Sequence, residues 1–196
     1  MSSENNETRT RILKAAWELL EASKGRDVRM SDIAKKAKVS RQALYLHFKT
    51  RADLLIETTL YVDGCRNTDA RLDASRTATT GIERLDAFVE AWGNYIPEIY
   101  GVGKALLAMM EEDEDAATAW TKRMQDMKEG CAAAIQALSD DGRLDPMHPV
   151  DEATDVLWTL LSVRNWEHLT QDCNWSQVRY VKSLKEITHR LFVLKD

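Results

Sequence analysis

Arg41 and Gln42 follow directly on Ser40 in the stretch KVSRQALYLHF, Lys38 to Phe48. Both side chains hydrogen-bond in pairs: a guanidinium donates two bonds to the edge of guanine, and a carboxamide pairs two-pronged with adenine. Leu46, one turn on, offers an apolar surface to a thymine methyl. Lys49, Thr50 and Arg51 come next, at what reads as a helix start, where free backbone N–H groups and the helix dipole favour an anion. This is chemistry for the edge and backbone of a duplex, provided something holds the segment in place. A helix this short cannot stand alone, since isolated helices need roughly 12–15 residues to be even marginal.

The flanking sequence supplies the support. Apolar residues recur at three- and four-residue steps almost throughout the chain, which predicts an all-α fold. A first helix is expected over Thr8 to Ser23, burying Ile12, Leu13, Ala16, Leu19 and Leu20, with Gly25 as its stop. A second covers Met30 to Ala37, with Ile33, Ala34 and Ala37 on one side. Ser40 caps a third, in which Leu44 and Phe48 are four apart and turn inward together. That leaves Arg41, Gln42, Ala43 and Leu46 facing out, on a helix of about 10 Å that fits a major groove of about 12 Å. Thr50 with Asp53 makes a capping-box start for a fourth helix through Leu54, Leu55 and Thr59.

The segment SDIAKKAKVSRQALYLHFKTRADLL, Ser31 to Leu55, with RILKAAWELL before it, resembles the TetR family of bacterial transcriptional regulators. The shared pattern is an Ile-Ala pair, an Ala and Val-Ser at the turn, then Leu-Tyr-x-x-Phe. The resemblance implies a helix-turn-helix DNA-binding domain over residues 1–50 and an effector-binding and dimerisation domain over 51–196. It also implies that Tyr45, His47 and Arg51 meet phosphates, the last at a position usually held by Lys. The DNA-facing set is then Lys38, Ser40, Arg41, Gln42, Ala43, Tyr45, Leu46, His47, Lys49, Thr50 and Arg51. Two residues depart from the pattern. Lys38 stands where the family usually has Gly, in a turn that often needs positive φ. Arg29 stands where Ser or Thr usually caps the second helix, so that the cap comes from Asp27 or Ser31 or the helix starts later.

Charge agrees with a polyanion partner for one end only. Residues 1–51 hold 12 Lys/Arg against 6 Asp/Glu, a balance of +6, and the remainder holds 15 against 26, a balance of −11. The polar N-terminus lacks a secretory h-region, and the longest uncharged run, Gly130 to Ser139, is short of the roughly 20 residues of a membrane span. A cytoplasmic protein is expected. Cys65, Cys131 and Cys173 are far apart, the four His are scattered, and no nucleophile, base or metal-ligand spacing converges. No catalytic residue, metal or cofactor is expected.

Beyond Gly81 the periodicity predicts helices over 81–97, 101–112, 115–138, 150–171 and 175–194, about nine in all, with breaks at Pro97, Glu111–Asp115, Asp140–Pro149 and Cys173–Asn174. The last two helices look apolar nearly all round and so need covering on all sides. A second subunit is the economical cover, with Leu157, Trp158, Leu161, Val181, Leu184 and Leu191 at the interface; the resemblance also implies a homodimer reading a palindromic operator. Between head and C-terminal helices lie Phe88, Trp92, Tyr95, Tyr100, Met109, Met110, Trp120 and Met124, the side chains of an adaptable pocket for a small apolar or aromatic effector, with Tyr95 or Tyr100 as its polar handle. The same residues at helical spacing serve equally as core. A regulator without a small-molecule pocket, answering to a protein partner, and an enzyme with a DNA-binding head therefore stay open beside a ligand-released repressor.

Overall fold

The computed structural model describes residues 2–23 and 28–195. The stop expected at Gly25 and the cap offered by Asp27 lie outside the described residues. The chain is all-α: α1 Ser2–Ser23, α2 Met30–Ala37, α3 Arg41–His47, α4 Arg51–Cys65, α5 Thr68–Arg76, α6 Gly81–Met109, α7 Glu114–Asp140, α8 Val150–Leu160, α9 Val163–Glu167 continuing as a π-helical turn His168–Asp172, and α10 Gln177–Phe192. No helix among the described residues is long and apolar enough to cross a membrane. Two compact units are built from these elements. One comprises Met1–Arg66 and Ile99–Met124, the other Asn67–Glu98 and Gln125–Asp196.

In the first unit α1 packs on α2 and α4, and α2 on α3. Most of the core the spacing predicts is present: Ile12, Leu13, Ala16 and Leu20 meet Ile33, Ala34 and Ala37, then Leu44, Phe48, Leu54 and Leu55, all buried, whereas Leu19 is half-buried. α1 begins at Ser2 rather than Thr8, because the polar residues ahead of Thr8 still propagate a helix that Ile12 onward has anchored. α2 starts at Met30 with Arg29 extended at the cap position and no side-chain cap.

The second unit departs from expectation in three places. Pro97 does not end a helix: α6 runs through it from Gly81 to Met109. Proline removes the N–H that would serve the carbonyl four residues earlier, that of Gly93. Gln177 Nε2 donates to that carbonyl at 2.8 Å instead, while Gln177 Oε1 accepts from Trp166 Nε1 at 2.9 Å. Gly93 also lets α10 come close, since a Cβ there would meet Val181 Cγ2 at 3.2 Å. The second departure is α5, a short polar helix that no apolar periodicity announced; Ser75 ties it to α6 by donating to the Arg84 carbonyl at 3.1 Å. The third is a break in the helix expected over 150–171. It stops at Leu160, and Ser162 caps α9 by accepting from Asn165 N at 3.2 Å, while Asn165 Nδ2 donates to the Thr159 carbonyl at 2.6 Å. Ser and Asn competing for backbone groups is the local cause.

Candidate nucleic-acid interface

The turn between α2 and α3 is set by Lys38, which adopts φ 55 and ψ 44. Its N–H reaches the Lys35 carbonyl at 3.2 Å and that of Val39 reaches Ala34 at 3.0 Å, closing the last turn of α2. The left-handed conformation expected for a glycine here is imposed on a lysine. Ser40 then caps α3 by accepting from Ala43 N at 3.0 Å.

Leu44 is fully buried and Phe48 is 2% exposed, so the inner side of α3 is pinned to the core. Its outer side follows by geometry. Arg41, Gln42, Tyr45 and Leu46 are exposed and Ala43 and His47 half-buried. Leu46 is 82% exposed, on the same short helix as two residues suited to base edges. The Arg41 guanidinium lies 5.7 Å from the Tyr45 ring centre, which orders one long side chain against another. Lys38, Ser40, Lys49 and Thr50 are exposed around this face. Thr50 is also committed locally, accepting from Asp53 N at 3.0 Å while its own N–H donates to Asp53 Oδ2 at 3.1 Å. The predicted capping box is present.

Arg51 is more withdrawn from solvent than these residues. Its side chain is 13% exposed and paired with Asp113, and it donates to the Val28 carbonyl through Nη2 at 2.8 Å and Nε at 3.2 Å. Its guanidinium is thus held by partners within the chain. Asp113 and Asp115 line one cleft with Arg29, Met30, Ser31, Arg41, Tyr45 and Arg51. Sequence reading missed Asp113 as a neighbour of the head, and no local signal marks it.

The residues expected around an effector fall in different units. Phe88, Trp92 and Tyr95 belong to the second, and Tyr100, Met109, Met110, Trp120 and Met124 to the first. Phe88 fills the space a Cβ at Gly130 would need, 2.7 Å from its ring. Trp92 Nε1 donates to the Leu161 carbonyl at 3.0 Å, and its ring meets Tyr95 edge-on at 5.7 Å. Met109 is buried; Tyr100, Met110, Trp120 and Met124 are half-buried. The Tyr100 hydroxyl accepts from Lys104 Nζ at 2.9 Å. Among the described residues, the buried hydroxyl without a hydrogen-bond partner is that of Tyr180, on α10, whose ring faces Gly93. Burial pushes its phenol well above the usual range, as it does the Cys131 thiol.

The residues expected at a subunit interface lie at different depths within the second unit. Leu157 and Leu161 are fully buried and Leu184 is 2% exposed within the single chain, so their own unit already covers them. Val181 is buried, and Trp158 and Leu191 are half-buried. The apolar residues facing out of α8 and α10 are Val156 and Val178.

Residues 12–58 match the model of the bacterial regulatory proteins of the tetR family. A nucleoid occlusion factor, SlmA, of Marinomonas sp. is 41% identical over 54 residues, which span 28% of this chain and 27% of that protein. Among solved structures, a protein of Saccharomonospora viridis, assigned as a transcriptional regulator and bound to choline, superposes with TM-score 0.72 at 21% identity, covering 97% of this chain and 100% of that one. The transcriptional regulator FadR of Bacillus subtilis, in complex with stearoyl-CoA, gives TM-score 0.73 at 16% identity over 91% and 96% of the two chains. At such identities the likeness of the whole chain is one of fold. The resemblance to the tetR family of bacterial regulatory proteins thus rests on residues 12–58, the helix-turn-helix segment and its flanking helices.

Proposed function

We propose that the protein is a sequence-specific, homodimeric DNA-binding repressor released by a small effector, with no enzymatic activity. The observation that carries the DNA-binding reading is α3 itself. Its inner side is locked by Leu44 and Phe48, and it turns Arg41, Gln42, Tyr45 and Leu46 outward within a head of charge +6. Residues 1–50 read DNA in this scheme and residues 51–196 pair subunits and sense the effector. The test is selection from a random duplex pool by the full chain, followed by affinity measured against salt. A symmetric pair of half-sites about one helical turn apart, bound with a steep negative salt slope, is expected. Failure to enrich any sequence refutes the reading.

Dimerisation rests on the symmetry such a site demands, and we place the second subunit against the outward side of α8 and α10 at Val156 and Val178. The effector reading draws support from the unpartnered Tyr180 hydroxyl, since an unsatisfied buried polar group costs about 1–3 kcal/mol and calls for a partner. The effector is a small, largely apolar or aromatic molecule. Choline and stearoyl-CoA in related folds show how far ligand chemistry ranges on one architecture. Linkage supplies the test: an effector that weakens DNA binding by some factor must itself be weakened by DNA by that factor. A broad compound screen that shifts neither tryptophan fluorescence nor Tm favours the rival regulator, which answers to a protein.

A further inference from the structure

Arg51 opens α4, three residues past Phe48 where α3 ends. Its guanidinium grips two other segments at once. One is the carbonyl of Val28, in the extended stretch that leads into α2. The other is the carboxylate of Asp113, in the turn between α6 and α7. Asp113 is itself fixed. Its Oδ1 accepts from Ala116 N at 3.1 Å and its carbonyl from Ala117 N at 2.9 Å, so it caps α7 while holding the arginine. Arg51 is 13% and Asp113 24% exposed. An ion pair so far withdrawn from water gains little net stability over apolar packing, but it fixes geometry, because losing one partner strands the other. The entry to α2 and the start of α4 bracket the helix-turn-helix on both sides. One planar fork therefore sets the span across which α3 is hung.

We propose that Arg51 and Asp113 are positioning residues for the recognition helix, and that Arg51 meets no DNA phosphate. Asp113 lies 62 residues further along the chain, yet the affinity of the head for DNA depends on it. The inference rests on the DNA-binding reading above and deepens it by giving Arg51 a role different from the one resemblance implies.

Salt dependence separates the two roles. A residue that neutralises a phosphate contributes about 0.9 to the slope of log K against log salt, whereas a positioning residue contributes nothing to it. The experiment measures affinity against salt for wild type, Arg51→Ala, Arg51→Lys and Asp113→Asn, on the best duplex selected by wild type. Asp113→Asn keeps a side chain able to cap α7 and removes the charge that holds Arg51. Arg51→Lys keeps the charge but cannot fork between a carboxylate and a carbonyl. We expect each variant to lose on the order of tenfold or more in affinity with the wild-type slope unchanged, and to lose more on the selected duplex than on a scrambled one. Arg51→Lys should resemble Arg51→Ala. A slope reduced by about 0.9 in Arg51→Ala, a wild-type-like Arg51→Lys, or an Asp113→Asn that binds as wild type would each overturn the proposal. Arg51→Lys and Asp113→Asn keep the test alive should Arg51→Ala fail to fold. A wild type that selects no sequence refutes the DNA-binding reading, whereas a wild type that selects a site while Asp113→Asn matches it refutes this inference alone.

Discussion

α3 and α10 are both amphipathic, yet they leave opposite kinds of residue in water. α3 buries Leu44 and exposes Leu46 at 82% beside Arg41, Gln42 and Tyr45. α10 buries Tyr180, Val181, Leu184, Thr188 and Phe192, leaving Val178, 79% exposed, among Arg179, Lys182 and Glu186. The first helix spends most of its length displaying side chains; the second spends most of its length being covered. A helix's apolar content therefore says little about where a partner sits, and what remains outside after packing says more. On α3 the remainder is a mixed polar and apolar face of groove-reading types. On α8 and α10 it narrows to Val156 and Val178.

The sharpest way to break that comparison is to put a charge on each side of α8 and α10. Leu161→Arg buries an unpaired cation where the native residue has no exposure, a cost of several kcal/mol, and should abolish the cooperative melt followed by circular dichroism. Val178→Arg should leave stability within about 0.5 kcal/mol, as exposed substitutions do, and, on the proposed dimer, should shift light scattering towards the monomer. If Leu161→Arg instead gives a folded monomer, the buried assignment is wrong and Leu161 belongs to an interface.

Next in size is the outward side of α3. Removing one paired base contact costs about 1–3 kcal/mol of discrimination, so Arg41→Ala and Gln42→Ala should each cut preference for the selected duplex over a scrambled one by roughly 10- to 100-fold. Tyr45→Phe should weaken both duplexes alike. Uniform loss from all three variants would remove the distinction between reading and positioning on this helix.

Of comparable size but on stability is Gln177→Leu. It returns the Gly93 carbonyl to the unpaired state that Pro97 creates and also strips Trp166 Nε1 of its acceptor. A loss of about 1–3 kcal/mol in urea unfolding is expected. Pairing it with Pro97→Ala checks the cause. Alanine restores the helical donor to Gly93, so the double variant should recover part of the loss.

These cases mark where the sequence was legible. Ser40, Thr50 with Asp53, and the Leu44–Phe48 pair were readable because cap and partner lie within four residues, so local pattern and tertiary result coincide. Pro97 was misread because its compensation comes from Gln177, 84 residues away from Gly93. The pairing of Arg51 with Asp113 is not legible, because Asp113 comes from a turn that no spacing ties to Arg51. α5 was missed because nothing in TDARLDASR repeats an apolar face. That Leu157, Leu161 and Leu184 need cover is legible in the spacing, whereas which surface covers them is a long-range property that periodicity does not carry.

The smallest expected effect concerns Lys38, and its sign is fixed by weighing two opposed terms. A left-handed conformation costs a non-glycine residue about 1–2 kcal/mol, and Lys38 sits there at φ 55. Lys38→Gly removes that strain but enlarges the unfolded ensemble, which returns about 0.4–1 kcal/mol to the other side. The net is a gain of about 0.5–1 kcal/mol, or a rise of roughly 1–4 °C in Tm for a chain of this length. Lys38→Asn, which tolerates the same conformation, should fall between. Both variants lose one exposed cation beside α3. If Lys38 meets a phosphate, both shallow the salt slope by about 0.9, and the more stable protein is the weaker DNA binder. Why a lysine occupies a position that favours glycine would then have a physical answer: the head gives up turn stability for one more charge facing the duplex. A raised Tm with an unchanged slope would place Lys38 outside the interface and leave its strain unexplained by DNA, while an unchanged or lowered Tm would show that the turn relaxes around glycine.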